Sequence, residues 1–264
     1  MANPTITVSM PATSRRLGQP RFYLYRFIPA LLPILFLLLV LGVGQHLWAQ
    51  GWTPANADTS WPRLFLPQSE VPALRDSLRA DPVRERIYAD IYTLATRNLQ
   101  TPNGSRQARE RRSKQAKSIA FVLYVGLEAD TINHTLTGDT LTTAQRNQFE
   151  QNVLRLFAAD IHTSVTPLTF TNLTGYGDWQ YTARNLHAYL GCYDLLKGIG
   201  MPDSLLAPGR ARLEELTANL YAEADAPNIA FNNFWGLVVN NHSIKCAATL
   251  GLAAVMLNTT NNGP

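Results

Sequence analysis

Residues 69–99 read "SEVPALRDSLRADPVRERIYADIYTLATRNL" and contain two helix starts with almost no chain between them. Ser69 is of a residue type that often caps a helix, and leucines four apart follow it on one helical face. Asp81 with Pro82 then predicts the cap and first position of a second helix, which we expect to reach the end of the stretch. Because two helices joined this tightly pack antiparallel, the stretch predicts a helical hairpin.

The same helical spacing continues along the chain. Period-two alternation is limited to a weak candidate strand at about 168–173. The sequence therefore predicts an all-α fold built from antiparallel helical hairpins. Apolar residues at helical spacing predict five further helices, at about 107–128, 143–159, 179–197, 208–224 and 231–257.

The N-terminal residues 1–49 differ in composition from the rest of the chain. They carry four arginines and no Asp or Glu, and an uncharged apolar run, 27–44, precedes a plausible cleavage site at Ala49. This pattern predicts a signal peptide and an exported protein, periplasmic or secreted. The alternative is a membrane anchor, because the run has about the shortest length that spans a bilayer. Residues 50–60 read as a polar linker and 61–264 as one domain.

Charge and cysteine content narrow the classes of ligand. The four N-terminal arginines account for the net charge of +4, and 19 basic residues then remain against 19 acidic ones. We expect no nucleic-acid partner: the basic run 106–117 lacks interleaved aromatics and is typical of a solvated helix face, although a different polyanion is an alternative. Cys192 and Cys246 are predicted to be buried free thiols or a disulfide. No metal-ligand spacing occurs, so we expect neither metal nor cofactor.

One polar run interrupts an apolar helical segment. In "GLVVNNHSIKC", residues 236–246, Asn240, Asn241 and His242 stand where buried residues are expected. On a helix, Asn241 and His242 are neighbours on one flank and Lys245 is about one turn further on. Amide, imidazole and ammonium groups together suit an anion, particularly a carboxylate. The alternative is that one of the asparagines caps a helix beginning just after the histidine.

A second group of candidate ligand-binding residues precedes the fifth predicted helix. Tyr176, Trp179 and Tyr181 bring aromatic rings to its start, and Arg184 follows one turn later. Trp235 adds another aromatic before the Asn-Asn-His run. Aromatic faces stack on sugars, and Arg forks onto carboxylate or sulfate. The alternative is that Trp179 and Tyr181 are core anchors and Arg184 is a surface charge.

Three segments resemble the helical domain of exported polysaccharide lyases of the alginate lyase and heparinase II/III-like kind. They are "WPRLFLPQSEVPALRDSLRADP" (61–82), "RNLHAYLGCYDLL" (184–196) and "NNHSIKCAATLGLAAVML" (240–257). Trp61 stands where the family commonly has His. The resemblance implies an incomplete (α/α) toroid and β-elimination on a uronate-containing, acidic polysaccharide.

By the family pattern, Asn241 would neutralise the uronate carboxylate, and His242 would act as the base or as a second neutraliser. Asn240 matches the motif without an assigned role. To these we add Lys245, whose charge near His242 would lower the pKa of the imidazole and keep it neutral.

The sequence also departs from the family pattern. The lyases carry a catalytic Tyr after the Asn-His pair, and this chain has no Tyr after Tyr221. We expect either a longer parent protein or an acid supplied by Tyr176 or Tyr181. Two other functions stay open. A toroid-fold glycoside hydrolase would use Asp178 and Asp194, about 24 Å apart on a continuous helix, and a non-catalytic helical module would bind a glycan or a protein.

Overall fold

The computed structural model describes residues 61–99, 104–166, 175–225 and 241–257, with the side chains of 175–177, 225 and 241–243 left out. Most of these residues are helical, which confirms the prediction of an all-α fold class. The elements in chain order are α1 (Val71–Ala80), α2 (Pro82–Thr96), α3 (Arg106–Val125), β1 (Leu127–Asp130), β2 (Thr135–Thr140), α4 (Thr143–Ala159), α5 (Gly175–Gly198), α6 (Asp203–Asp225) and α7 (Asn241–Leu257). The predicted signal peptide and linker lie outside the described residues.

The first hairpin forms as predicted, with one correction at its start. The Asp81 carboxylate accepts hydrogen bonds from the backbone N–H of Val83 (2.9 Å) and of Arg84 (3.4 Å), and so caps α2. Ser69 is not the cap of α1, because it lies in a short 3₁₀ turn, Gln68–Glu70. Helix α1 begins two residues later with a proline in its first turn, where the missing N–H costs nothing.

Two further helices begin earlier in the structure than the sequence predicts. Helix α5 begins at Gly175 rather than at Trp179, and α6 begins at Asp203 rather than at Pro208. Both predictions took a conspicuous residue as the helix start. Gly175 and Gly177 belong to the first turn of α5, whereas Pro208 lies inside α6, beyond its first turn.

A small sheet that the sequence did not predict follows α3. That helix was predicted to reach residue 128, but Gly126 adopts a left-handed conformation (φ 74°) and donates its N–H to the Val122 carbonyl at 2.7 Å. This is a common helix C-cap. Strands β1 and β2 then pair antiparallel and pack against α2. Both strands are short and β2 is mostly polar, so their alternation is weak. The predicted strand at 168–173 lies outside the described residues.

Gly126→Ala is expected to lower the free energy of unfolding by about 1–2 kcal/mol, the cost of a left-handed alanine. A Cβ there would also lie 2.9 Å from Arg75 Nη2, and Arg75 is held by a 2.6 Å hydrogen bond from its Nε to the Val125 carbonyl. Gly138→Ala is the matched control, because Gly138 has φ 87° and open space around it. Urea unfolding should show the larger loss for Gly126→Ala. An equal loss in both variants would contradict a role for the Arg75 contact.

The helices after α2 are arranged in two layers. Helix α5 packs between α3 and α7 in one layer, α4 packs against α6 in the other, and the pairs α3–α4 and α5–α6 join the layers. Helices α3 and α5 run parallel. Their starts meet at Arg106–Asp178, their middles at Ser113–Asn185, and their ends where Tyr124 lies beside Gly198.

Helix α5 is the centre of the core, and the segment that opens the domain is fastened to its C-terminal end. The buried Asp194 carboxylate accepts the backbone N–H of Arg63 (2.5 Å) and of Leu64 (2.9 Å). The Trp61 ring meets the Tyr193 ring edge-on, with centroids 5.4 Å apart. Burial raises the pKa of Asp194, and the backbone N–H groups oppose that rise. Two of the three lyase-like segments are therefore in direct contact.

The outer face of α7 exposes apolar side chains. Ile244 and Val255 are 58% and 60% exposed, and the residues between them on this face are small. In the ranges that the structure describes, none of the helices combines the length and the apolar character that crossing a bilayer requires.

Candidate functional site

The N-terminal ends of α3, α5 and α7 lie at the same end of their layer. Arg106 at the start of α3 pairs with Asp178 in the first turn of α5 at 2.5 Å. Cys246 Sγ in α7 lies 3.8 Å from the backbone carbonyl of Trp179 in α5. Arg63, whose N–H is bound by Asp194 near the end of α5, donates from Nη1 to the Val255 carbonyl near the end of α7 at 3.1 Å, so α7 runs parallel to α5. Because His242 precedes Cys246 by one turn, about 6 Å along the helix axis, the start of α7 is level with the start of α5. The helix starts that carry the described members of the two predicted sets, Tyr181 and Arg184 on α5 and Lys245 on α7, thus lie at one end of the fold.

The Tyr181 cluster, defined as Arg106, Glu110, Asp178, Tyr181 and Arg184, joins α3 to α5 at this end. The Tyr181 ring is half-buried, with the Arg106 Cζ 5.1 Å and the Arg184 Cζ 5.5 Å from its centroid. Arg184 also lies 3.7 Å from the Glu110 carboxylate. Tyr181 and Arg184 are therefore neighbours, as predicted. The cluster presents guanidinium donors that an anion could engage in exchange for these two carboxylates.

Trp179 corrects the predicted set of substrate contacts. Its side chain is fully buried, and its Nε1–H donates to the Thr166 carbonyl at 2.8 Å. A buried indole satisfied by the backbone offers no face to a sugar. Trp179 is a core anchor, which was the alternative interpretation.

The other predicted site residues are described in part. Asn241 and His242 occupy the first two positions of α7, so this helix begins before Ser243, where the capping alternative would start it. Lys245 is half-buried on the next turn. The side chains of Asn241, His242 and Tyr176, and the whole of Asn240 and Trp235, lie outside the described residues. Their roles stay predictions.

The basic run on α3 is only partly a solvated face. Arg111 and Lys114 are exposed, but Arg112 is 3% exposed. Lys117 is half-buried with its Nζ 5.3 Å from the centre of the Phe65 ring, and burial lowers its pKa. The interpretation as a solvated face is therefore wrong for Arg112. Its place between Ala108 and Ala116, four residues from each on the apolar stripe of the helix, was the sequence signal that could have revealed this.

A basic cleft lies beside Arg112, between the start of α3, the chain after α4, and α6. This open cleft has a volume of about 400 Å³. Arg212 Nη1 donates to the Ile161 carbonyl at 3.1 Å, and Arg109 Nη1 lies 3.1 Å from His162 Nδ1 at its edge. Partial burial lowers the pKa of His162, and the charges of Arg109 and Arg112 lower it further. The described residues that line the cleft are Gly104, Arg112, Ala159, Asp160, Ile161, His162, Thr163, Ser164 and Arg212.

The carboxylate pair that a glycoside hydrolase would need is not assembled. Asp178 belongs to the first turn of α5 and pairs with Arg106, whereas Asp194 is buried at the opposite end and accepts backbone N–H groups. The two acids face different surroundings at the two ends of one helix. Neither is placed to act with the other on a glycosidic bond.

The two cysteines are free and buried, which agrees with the free-thiol alternative. Burial raises the pKa of both thiols, to about 12 for Cys246, so they pack as small apolar groups. Among the residues with described side chains, no three of His, Cys, Asp or Glu converge in a way that would hold a metal ion.

In comparisons with known proteins, no family model, no curated protein and no solved structure matched this chain. A function is therefore inferred from the residues and their arrangement, together with the resemblance of the three segments.

Proposed function

We propose that this chain belongs to a polysaccharide lyase that cleaves uronate-containing glycans by β-elimination, with its two helical layers forming part of an (α/α) toroid. One observation carries the proposal. The parallel helices α3, α5 and α7 begin at the same end, so the backbone positions of Asn241 and His242 are at the end where the Tyr181 cluster lies. Helix N-termini favour anions, and an acidic sugar brings a carboxylate.

The proposed reaction begins at the proton on C5 of the uronate. His242 takes this proton while the Asn241 amide donates a hydrogen bond to the uronate carboxylate, where negative charge develops. The electron pair of the C5–H bond forms the C4–C5 double bond, and the C4–O bond breaks. The departing oxygen then takes a proton from an acid, for which Tyr181 and Tyr176 are the candidates on this chain.

The Tyr181 cluster would hold flanking uronates. Arg106 and Arg184 would form charge-assisted hydrogen bonds to sugar carboxylates and release Asp178 and Glu110 in exchange. Their ion pairs with Asp178 and Glu110 keep these guanidiniums at the surface in a defined place. This arrangement favours an acidic polymer over a neutral one.

The direct test is an absorbance assay for unsaturated uronate with alginate, heparin-type and chondroitin-type polymers. Both this chain and any longer product of the same reading frame should be assayed, with a neutral glucan as the control. We expect absorbance to rise with at least one acidic polymer and not with the glucan. Absence of product from all three acidic polymers would refute the proposal.

Lys245→Met is expected to move the acidic limb of the pH–rate profile to higher pH. Lys245 is one turn from His242, and its positive charge disfavours the imidazolium form, so removing the charge raises the pKa of His242. Below that raised pKa, more of the enzyme carries a protonated base and is inactive. Lys245→Arg is the matched control and should leave the limb in place. An unmoved limb in Lys245→Met would contradict this role.

A second candidate function is a non-catalytic module that binds an acidic glycan. The basic cleft favours it, because cationic side chains line a cavity of sugar size apart from the start of α7. The two functions differ in outcome: a binding module would bind the polymer and release no unsaturated product.

A further inference from the structure

None of the described residues that line the basic cleft belongs to α7. We propose that the cleft binds an oxyanion, a carboxylate or sulfate of an acidic glycan, at a subsite separate from Asn241 and His242. That the anion is carried by a glycan rests on the proposed function, whereas the anion site itself rests on the cleft.

The charges around the cleft are unbalanced toward positive. Arg112 and Arg212 are in its wall and Arg109 is at its edge, against one acidic residue among the described wall residues, Asp160. Glu110, on α3, pairs with Lys114 (2.7 Å) and lies 3.7 Å from Arg184. The Glu215 carboxylate accepts a hydrogen bond from the Thr163 hydroxyl at 2.8 Å and keeps its charge, so three guanidinium charges stand against two carboxylates, Asp160 and Glu215. A bound anion would restore the local balance.

Guanidinium groups supply the donors for such an anion, Arg112 from a buried position in the wall and Arg109 from a partly exposed position at the edge. Arg112 is almost wholly inside the protein. Burial raises the pKa of the Tyr189 hydroxyl, and the nearby charge of Arg112 opposes this rise. The Nε of Arg109 is buried and has no hydrogen-bond acceptor among the described residues. Since each guanidinium has five N–H donors in a planar fork, both arginines suit a planar carboxylate or a sulfate.

The size and place of the cleft fit a single charged sugar unit. Its volume of about 400 Å³ is within the range of small-molecule sites. The hydroxyl of Ser164 adds a neutral hydrogen-bonding group to the wall. Arg106 and Arg109 are one turn apart on α3, with Arg106 in the Tyr181 cluster and Arg109 beside the cleft. A polymer with regularly repeated anionic groups could engage both places.

The test is an NMR titration of the His162 ring protons on the intact chain, at constant ionic strength, with chloride, sulfate, glucuronate or a sulfated heparin-type oligosaccharide. Sulfate and glucuronate should raise the apparent pKa of His162 in a saturable way, because an anion offsets the arginine charges that keep it low. Chloride should not. Tighter binding of the oligosaccharide than of free sulfate would indicate a glycan as the natural source, and the reverse would indicate a free anion and overturn the glycan assignment.

Arg109→Met and Arg111→Met remove the same charge from neighbouring positions of α3, one at the cleft and one exposed. We expect Arg109→Met to weaken sulfate binding about tenfold, the loss of one charge-assisted hydrogen bond. It should also raise the pKa of His162 before any anion is added. Arg111→Met should change neither quantity. If circular dichroism shows that Arg109→Met does not fold, Arg109→Lys replaces it in the test. This variant keeps the positive charge and removes the planar set of guanidinium donors, so it should also weaken sulfate binding.

Equal weakening in Arg109→Met and Arg111→Met would overturn the site, because it would indicate a general effect of surface charge. The same follows if chloride acts like sulfate. Failure of the lyase is distinguishable from failure of the cleft. Saturable sulfate binding without an unsaturated product supports the cleft alone, and product formation without an effect at His162 supports the lyase alone.

Discussion

Gly209→Ala is expected to lower the free energy of unfolding by about 1–3 kcal/mol, the range for overpacking a tight core. Gly209 is buried in α6 against α4. A Cβ there would lie 2.1 Å from Phe157 Cε1 and 2.2 Å from Phe157 Cδ1. The Phe157 ring is fully buried and stacks on the Tyr193 ring, 5.9 Å away at an interplanar angle of 8°. Because that ring is buried and packed against Tyr193, it has little room to move, and the added methyl group forces the helices apart.

The sign of this effect is informative, because alanine is otherwise favoured over glycine in a helix by about 1 kcal/mol. Gly251→Ala is the matched control: Gly251 is in α7, is exposed, and has open space where the added methyl group would lie. It should stabilise the protein while Gly209→Ala destabilises it. Urea unfolding curves measure both. A Gly209→Ala protein at least as stable as the parent would contradict the close packing of α6 on Phe157.

His242→Ala is expected to lower the rate of β-elimination by about 10²–10⁴, the usual contribution of a positioned general base. The C5 proton is weakly acidic even beside a neutralised carboxylate, so water replaces the imidazole poorly. The loss should fall on kcat, since the proposed role is in the transition state and substrate is held mainly by the Tyr181 cluster. Initial rates from the unsaturated-uronate absorbance measure the effect.

His187→Ala is the control for His242→Ala. His187 is exposed on α5, three turns after its start, and belongs to neither the Tyr181 cluster nor the basic cleft. Its loss should leave the rate unchanged. A His242→Ala enzyme within about twofold of the parent would remove His242 from the mechanism, since that difference is far below the contribution of a base. Binding of the polymer by a calorimetric titration should persist in both variants.

Local signals account for the parts of the fold that the sequence predicted. Asp81 caps α2 through hydrogen bonds to residues two and three positions away, and Pro82 fits the first turn beside it. Such contacts need no other element. The same holds for Thr142 and Gln145, whose capping box starts α4 at the predicted residue. The β1–β2 hairpin was missed because four and six residues of weak alternation carry little signal without the α2 surface beneath them.

The candidate site divides in the same way. The sequence indicated which residue types could form the site, because polar and aromatic side chains stand out from apolar helical segments at Tyr181, Arg184, Asn241 and His242. It also offered the alternative that Trp179 is a core anchor. It could not show that Trp179 is fully buried or that Arg106 lies beside Tyr181. These facts depend on which helices pack against α5, through contacts such as Arg106–Tyr181 and Trp179–Cys246 between residues about seventy positions apart.

By itself, then, the sequence determined where most helices form and which polar residues stand out from the apolar pattern, because backbone capping and helical spacing act within a few residues. Only the tertiary structure decided that α3, α5 and α7 run parallel with their starts together, and that Arg112 turns inward to a cleft while Arg111 faces solvent. The physical reason is that the burial of a side chain and the pairing of its charge depend on which other elements pack against it. No single segment contains that information.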